Sequence, residues 1–325
     1  MSIAFLDTAA VQRALPFGVA MDALDAALRA DVDPELDGPR LFSDAPGGEF
    51  LVMPAQGAEF SGLKALTLAP GNPARGLEKV QGLYLLFASD TLAPVAVLEG
   101  ACLTAIRTPA VTISAVRALA AIAPAGAELP AAPRILVFGA SVQALSHIRA
   151  ALVAFPTARF EIVGRRPERV AALIQELRDD PASASLEVTD RTGDADAAVG
   201  EADIIICATS ASTPLFDGRL VQDHAIVAAT GTHGLDLREV DDHLVNRSDL
   251  VVEGRGSAER ENGNLATAWS AADWRERPPA NLRDLALGRM TRAAGRPALY
   301  TGVGMSWEDL VCATAAYAAY LHSSK

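Results

Sequence analysis

Residues 133–155, PRILVFGASVQALSHIRAALVAF, set an unbroken apolar run, a glycine turn and a helix-spaced apolar pattern in immediate succession. Arg134–Phe138 reads as a strand buried on both faces, because its apolar residues do not alternate with polar ones. Val142, Leu145, Ile148, Leu152 and Phe155 then recur at the spacing of one helix face. The turn between them, Gly139-Ala140-Ser141-Val142-Gln143-Ala144, occupies the position of the dinucleotide fingerprint GxGxxG/A. Its first glycine permits the tight turn, and its last small residue lets helix and strand pack closely. The helix N-terminus offers unpaired N–H groups and a positive dipole end to a pyrophosphate. Ser141 stands in place of the middle glycine, bringing a Cβ toward the phosphate but also a hydroxyl able to donate to it.

Downstream, Phe160–Val163 reads as a second strand and Pro167–Asp179 as a second helix. Ile204–Cys207, Ala225–Ala229 and Leu250–Val252 supply later strands. Strands alternating with helices predict an α/β domain with a Rossmann-type, doubly wound parallel sheet. The second strand ends in Gly164-Arg165-Arg166, where an NAD enzyme carries an acid on the ribose 2′-hydroxyl. An acid repels a 2′-phosphate, whereas guanidinium groups bind one through charge-assisted hydrogen bonds. The pattern favours NADP(H) over NAD(H) and leaves NAD(H) possible.

Upstream the texture differs. Val11, Leu15, Val19, Leu24 and Leu28 lie at helical spacing, and Pro16 divides them into two short helices. From Glu49 to Glu99, short apolar runs separated by Gly, Pro, Asn and Asp predict a strand meander. A helix follows from Ala101 toward Ala123, and Pro124, Gly126 and Pro130 mark a linker. A last helix from Ser306 carries Trp307, Leu310, Val311, Ala315, Ala318 and Leu321 as its core-facing set. Within the meander Lys64 shares a strand face with Leu66 and Leu68. A lysine in such a setting needs an anion beside it, and none lies nearby in sequence. Arg107 sits among small and apolar residues, and Arg40 follows Gly38-Pro39.

The 325 residues carry 40 acidic and 28 basic side chains, a net charge of −12, which argues against sequence-independent nucleic-acid binding. An apolar fraction of 50% excludes a disordered chain. Cys102, Cys207 and Cys312 are odd in number and lack CxxC spacing, so neither a disulfide framework nor a metal site is expected. Arg117 and two prolines interrupt the Ala-rich stretch from Pro109 to Ala127, which reads as a buried helix. No signal peptide or membrane span is expected, and the reading is of a soluble cytoplasmic protein.

Taken in order, these pieces resemble the ornithine cyclodeaminase/mu-crystallin family over nearly the whole chain. The resemblance rests on Arg40, Met53-Pro54, Lys64, Pro70-Gly71-Asn72 with Gly76-Leu77 and Gly82, and Leu103-Thr104. It continues through Arg107-Thr108, the Gly139–Ala144 turn, Gly164-Arg165-Arg166, Arg238-Glu239 and Gly302-Val303-Gly304. It implies an α+β substrate-binding and dimerisation domain, residues 1–115 completed by the helix at 304–325, around a central NAD(P)-binding domain at 116–303. A homodimer is implied. Arg40, Lys64 and Arg107 are the implied carboxylate grip, with Met53 beside them. Thr108, Gly139, Ala140, Ser141, Val142, Gln143, Gly164, Arg165, Arg166, Thr209, Ser210, Val303 and Gly304 are the implied cofactor contacts.

Departures from the family pattern bear on the reaction. Members that cyclise ornithine carry a glutamate two residues before Met53 to hold the distal amine, and here that residue is Leu51. They also carry an essential aspartate after the strand ending in Thr230-Gly231, and His233 stands there instead. The loss of both acids points away from ornithine cyclodeamination. It points toward an oxidoreductase, a ketimine reductase that reduces a small cyclic α-imino acid to the L-amino acid. Δ1-Piperideine-2-carboxylate and Δ1-pyrroline-2-carboxylate are the candidate substrates. His233 and Lys64 are the candidate catalytic proton donors. An amino-acid dehydrogenase or cyclodeaminase on the same scaffold, and a non-catalytic NADPH- or small-ligand-binding protein, remain the alternatives.

Overall fold

The computed structural model describes residues 3–323. The chain divides into two compact units, one formed by Met1–Arg107 with Met305–Lys325 and the other by Thr108–Gly304. The division falls within a helix, between Arg107 and Thr108, rather than at residue 115. The later turns of that helix belong to the second unit, where Thr112 meets His147.

In the first unit β1 (Ala4–Leu6) is followed by α1 (Thr8–Ala14) and α2 (Phe17–Arg29). Asp7 caps α1 by accepting from the Ala10 amide at 2.8 Å, and Pro16 separates the two helices. Strands β2 (Leu41–Ala45), β3 (Gly48–Ala55), β4 (Phe60–Leu68), β5 (Val80–Ala88) and β6 (Pro94–Glu99) complete a six-stranded sheet. Its order is β1-β6-β5-β4-β3-β2, antiparallel except where β1 pairs with β6. Met53 lies opposite Lys64, and Lys64 opposite Tyr84, so all three share a face with Leu51 and Leu66. The closing helix (Ser306–Ser323) packs over β3, β4 and β5. The opposite face carries Leu41, Val52, Ala65 and Leu83 in one row across four strands. Leu41, Phe50 and Leu83 are exposed there.

From β6 the chain enters α3 (Gly100–Ala121), whose start is capped by the Glu99 carboxylate, which accepts from the Ala101 and Cys102 amides. The Ala-rich segment is thus the body of a largely buried helix. Among the described residues no helix is long and apolar enough to cross a membrane. All three cysteines are free.

The second unit is built on an all-parallel sheet. Its strands are β7 (Arg134–Phe138), β8 (Arg159–Val163), β9 (Val188–Asp190), β10 (Ile204–Cys207) and β11 (Ile226–Ala229). They continue with β12 (Asp249–Val252), β13 (Ala280–Asn281) and β14 (Ala298–Thr301). The order β13-β12-β14-β11-β10-β7-β8-β9 reverses direction between β7 and β10. In open α/β sheets ligands bind at the carboxyl ends of the strands at such a switch point. Helices α4 (Val142–Ala154) and α5 (Pro167–Asp179) make the first two crossovers. Strands β10, β11 and β14 are buried along their whole length, which accounts for their non-alternating sequences.

Two assignments of helix faces differ from expectation. Val142 is exposed, because α4 packs through Ala144, Leu145, Ile148, Ala150 and Ala151. The closing helix buries Glu308, Asp309, Cys312, Ala313 and Ala316, whereas Ala318 and Leu321 are exposed. Trp307 and Leu310 are buried as expected, so its inward face near the N-terminus sets two acids among apolar side chains.

Candidate functional site

The first unit holds a buried charged cluster. Lys64 is only 1% exposed, and its Nζ donates to Asp309 Oδ2 at 2.6 Å. Arg107 Nε donates to Asp309 Oδ1 at 3.2 Å, and Arg107 Nη1 to Glu308 Oε2 at 2.8 Å. Neither Glu308 nor Asp309 is exposed at all. The missing anion for Lys64 thus comes from the closing helix, 245 residues further along the chain. That helix is pinned by Asp37, whose two carboxylate oxygens accept from the Ser306 and Trp307 amides at 2.9 and 3.1 Å. The cap places Glu308 and Asp309 in the first turn, where the dipole favours acids.

Burial pushes the Lys64 ammonium down to about 8, with Arg107 and Arg40 pushing the same way and Asp309 opposing them. An ammonium has three donors. Among the described residues Asp309 is the one hydrogen-bond acceptor for Lys64. Arg40 is half-buried, and Met53 and Leu51 are buried beside Lys64 on the same sheet face. Tyr84 Oη is also buried without a hydrogen-bond partner among the described residues. Lys64, Arg107 and Met53 lie on or beside the same sheet face, and Lys64 and Arg107 are already paired with protein carboxylates. Glu308 and Asp309 carry no motif, and their acidity stands out only as two charges at one end of an apolar helix.

The second unit carries the glycine turn. Gly139 has φ +124°, and a Cβ there would fall 2.6 Å from the Ala208 carbonyl oxygen, so only glycine fits. Ser141 is the N-cap of α4, its Oγ accepting from the Ala144 amide at 3.5 Å. The serine in place of the middle glycine thus starts the helix and keeps its own O–H available as a donor. Ala140 and Gln143 are half-buried, whereas Ser141 and Val142 are exposed.

Gly164 closes β8, and a Cβ there would meet Val170 Cγ2 at 2.5 Å. Arg165 and Arg166 follow it, both exposed, with Arg166 at the N-cap of α5. Among the described residues neither side chain makes an ion pair or hydrogen bond within the protein. The Gly139 turn at the start of α4 fits a dinucleotide pyrophosphate.

Thr209, Ser210, Val303 and Gly304 lie in the loops after β10 and β14, and their amides reveal a further layer. Glu239, fully buried, accepts from the Thr209 amide and hydroxyl, both at 2.7 Å, and from the Gly231 amide at 2.8 Å. Burial pushes its carboxyl up, against the pull of these donors. Glu253 accepts from the Val303 and Gly304 amides, both at 2.8 Å. These two carboxylates peg the loops at the carboxyl ends of β10, β11 and β14. The Thr209, Val303 and Gly304 amides are thus committed to loop shape, because a buried carboxylate needs donors. Thr108 is half-buried in α3, its carbonyl accepting from Thr112 Oγ1 at 2.8 Å. His233 is exposed in the loop after β11. His147 is buried against Thr112 and Thr230, and burial pushes it down to about 4.

Fold and glycine turn together define a protein with a central dinucleotide-binding Rossmann unit. The chain belongs to the ornithine cyclodeaminase/mu-crystallin family, whose model matches residues 3–324. It is 31% identical over 272 residues to a Delta(1)-pyrroline-2-carboxylate reductase 2 from Burkholderia ambifaria, spanning 83% of this chain and 80% of that protein. It is 30% identical over 272 residues to a Delta(1)-pyrroline-2-carboxylate/Delta(1)-piperideine-2-carboxylate reductase from Azospirillum brasilense, with the same coverage. The fold is similar to that of the Thermococcus litoralis Delta(1)-pyrroline-2-carboxylate reductase solved with NADH and L-proline. The TM-score is 0.83 at 23% identity, covering 99% of this chain and 98% of the other.

Proposed function

We propose that this protein reduces a small cyclic α-imino acid, Δ1-pyrroline-2-carboxylate or Δ1-piperideine-2-carboxylate, to the L-amino acid. The observation that carries the reading is Lys64, a fully buried ammonium with one protein acceptor for three donors, set on an apolar face with Leu51 and Met53. Such a group is matched to a ligand that brings a carboxylate or imine nitrogen together with an apolar ring. The two reductases named above support the same substrates.

Lys64, Arg107 and Arg40 hold the substrate carboxylate, each charge-assisted hydrogen bond contributing about 1.5–3 kcal/mol. A bound nicotinamide dinucleotide supplies the hydride. Gly139 to Gln143 with Gly164 cradle its pyrophosphate half, and Arg165 and Arg166 bind the 2′-phosphate, so NADPH is preferred to NADH. Thr108, Thr209, Ser210, Val303 and Gly304 shape the nicotinamide end. Lys64 donates the proton to the imine nitrogen, with His233 the second donor to test. Buried Leu51 leaves no acid for a distal amine, which disfavours ornithine.

The protein acts as a homodimer, paired through the open apolar sheet face bearing Leu41, Phe50 and Leu83, which a solitary chain leaves in water.

The test is NADPH and NADH oxidation with each cyclic imino acid, beside ammonia release from ornithine. The reading expects NADPH consumption with at least one imino acid and no ammonia. Ammonia release without net cofactor oxidation would overturn it.

A further inference from the structure

Resting on the reductase reading, we propose that Asp309 is a positioning residue for the reaction. Its buried carboxylate sets Lys64 against Arg107 and keeps the Lys64 amine protonated for donation to the imine nitrogen. The geometry is that of a bridge. One oxygen, Oδ2, takes Lys64 at 2.6 Å, and the other, Oδ1, takes Arg107 at 3.2 Å. A two-torsion side chain on a helix pinned at its first turn by Asp37 leaves little freedom in where those oxygens lie.

The surroundings assign the role to Asp309 rather than to its neighbours. Arg107 from α3 and Arg40 from the loop before β2 both push the Lys64 amine toward neutrality, as does burial itself. Tyr84, opposite on β5, has its phenol pushed far up and stays neutral. Cys312, one turn along the closing helix, has a thiol pushed up by burial and by Asp309 and Glu308, and it stays neutral too. Glu308 is engaged with Arg107 at 2.8 Å, so Arg107 keeps a counter-charge of its own. Asp309 is the group that raises Lys64, through both its charge and its hydrogen bond.

The proposed step balances. Hydride from the reduced nicotinamide forms the new bond to the imine carbon, and the C=N π pair moves onto nitrogen. A Lys64 N–H proton then forms the N–H bond. The dinucleotide leaves oxidised, and neutral Lys64 regains its proton from solvent.

The chain contains three lysines, Lys64, Lys79 and Lys325, so lysine labelled with carbon-13 at Cε gives few signals. Loss of one signal in Lys64→Arg identifies the residue. In the wild type Lys64 should titrate at about 8. In Asp309→Asn its midpoint should fall by about 1–3 pH units, and the alkaline limb of kcat for imino-acid reduction should move with it.

Asp309→Glu keeps the charge but displaces it. It should leave the titration nearly in place while lowering kcat by about tenfold to a hundredfold. Circular dichroism confirms that each variant is folded. An unmoved Lys64 midpoint in folded Asp309→Asn, or wild-type kcat in Asp309→Glu, would overturn the proposal. A wild type that oxidises NADPH with no cyclic imino acid would defeat the reductase reading instead, and the lysine titration would still decide whether Asp309 holds Lys64.

Discussion

Replacing the Lys64–Asp309 pair by apolar side chains separates what the cluster does for folding from what it does for chemistry. Burial lowers Lys64 from 10.5 to about 8, which corresponds to a cost of about 3 kcal/mol at neutral pH for keeping the amine charged. Removing Asp309 alone, as Asp309→Leu, strands that ammonium and should destabilise the fold by about 3–5 kcal/mol. Adding Lys64→Met removes the stranded charge, and Arg107 retains Glu308 at 2.8 Å. The double variant should therefore return to within about 1 kcal/mol of wild type, or exceed it, since apolar replacements of buried ion pairs are often neutral or stabilising. Urea unfolding of the four proteins closes a double-mutant cycle, and NADPH oxidation is measured on the same samples. The expected result is a stable, inactive double variant. A double variant as unstable as Asp309→Leu would show that the stranded Lys64 charge is not the source of the instability, and near-wild-type activity would show that the pair is dispensable to the reaction.

Four further outcomes follow from the same structure. Arg165→Ala should raise KM for NADPH by about tenfold or more while leaving KM for NADH unchanged, the loss of one charge-assisted contact. Equal effects on both dinucleotides would remove Arg165 from 2′-phosphate binding. Gly139→Ala forces a side chain into φ +124° and against the Ala208 carbonyl, and should cost at least about 1–3 kcal/mol with a lowered Tm and weakened dinucleotide binding. An unchanged melting curve would contradict that strain.

His147 is held neutral by burial, with its folded value near 4 below its ordinary 6.5. Its contribution is therefore complete above pH 6.5 and is lost as pH falls toward 4, by about 3 kcal/mol in all. Urea midpoints of wild type and His147→Gln should converge across that window, and parallel curves would exclude the effect. Leu83→Lys, on the exposed sheet face, should convert dimer to monomer in sedimentation without loss of secondary structure. A wild type already monomeric would reject that interface.

How much of this was legible in the sequence depended on whether the signal was local. The Gly139 turn, the strands β7, β8, β10 and β11, and the Pro16 break declare themselves within a few residues, because backbone geometry and two-sided burial restrict composition locally. Strand β14 was not legible. Ala298–Thr301 is four residues long and mixes Ala, Leu, Tyr and Thr without an unbroken aliphatic run, yet it lies inside the sheet between β11 and β12.

The environment of Lys64 predicted an anion but could not say which, since Asp309 is remote in sequence and sits on a helix that reads as apolar. Glu239 stands out in sequence only as part of Arg238-Glu239 with no role attached, and Glu253 carries no signal at all, for a similar reason. A carboxylate that gathers amides from loops looks, in sequence, like any surface acid.

The proposed reaction moves hydride onto the carbon of a cyclic C=N bond. The direct measurement uses NADPH bearing deuterium at the transferable position of the nicotinamide, supplied with Δ1-pyrroline-2-carboxylate and Δ1-piperideine-2-carboxylate. Mass and NMR analysis of the product should find one deuterium at the α-carbon of L-proline or L-pipecolate, absent when Lys64→Met is used. Cyclic amino acid without label, or consumption of NADPH with no amino acid formed, would contradict hydride transfer to that carbon.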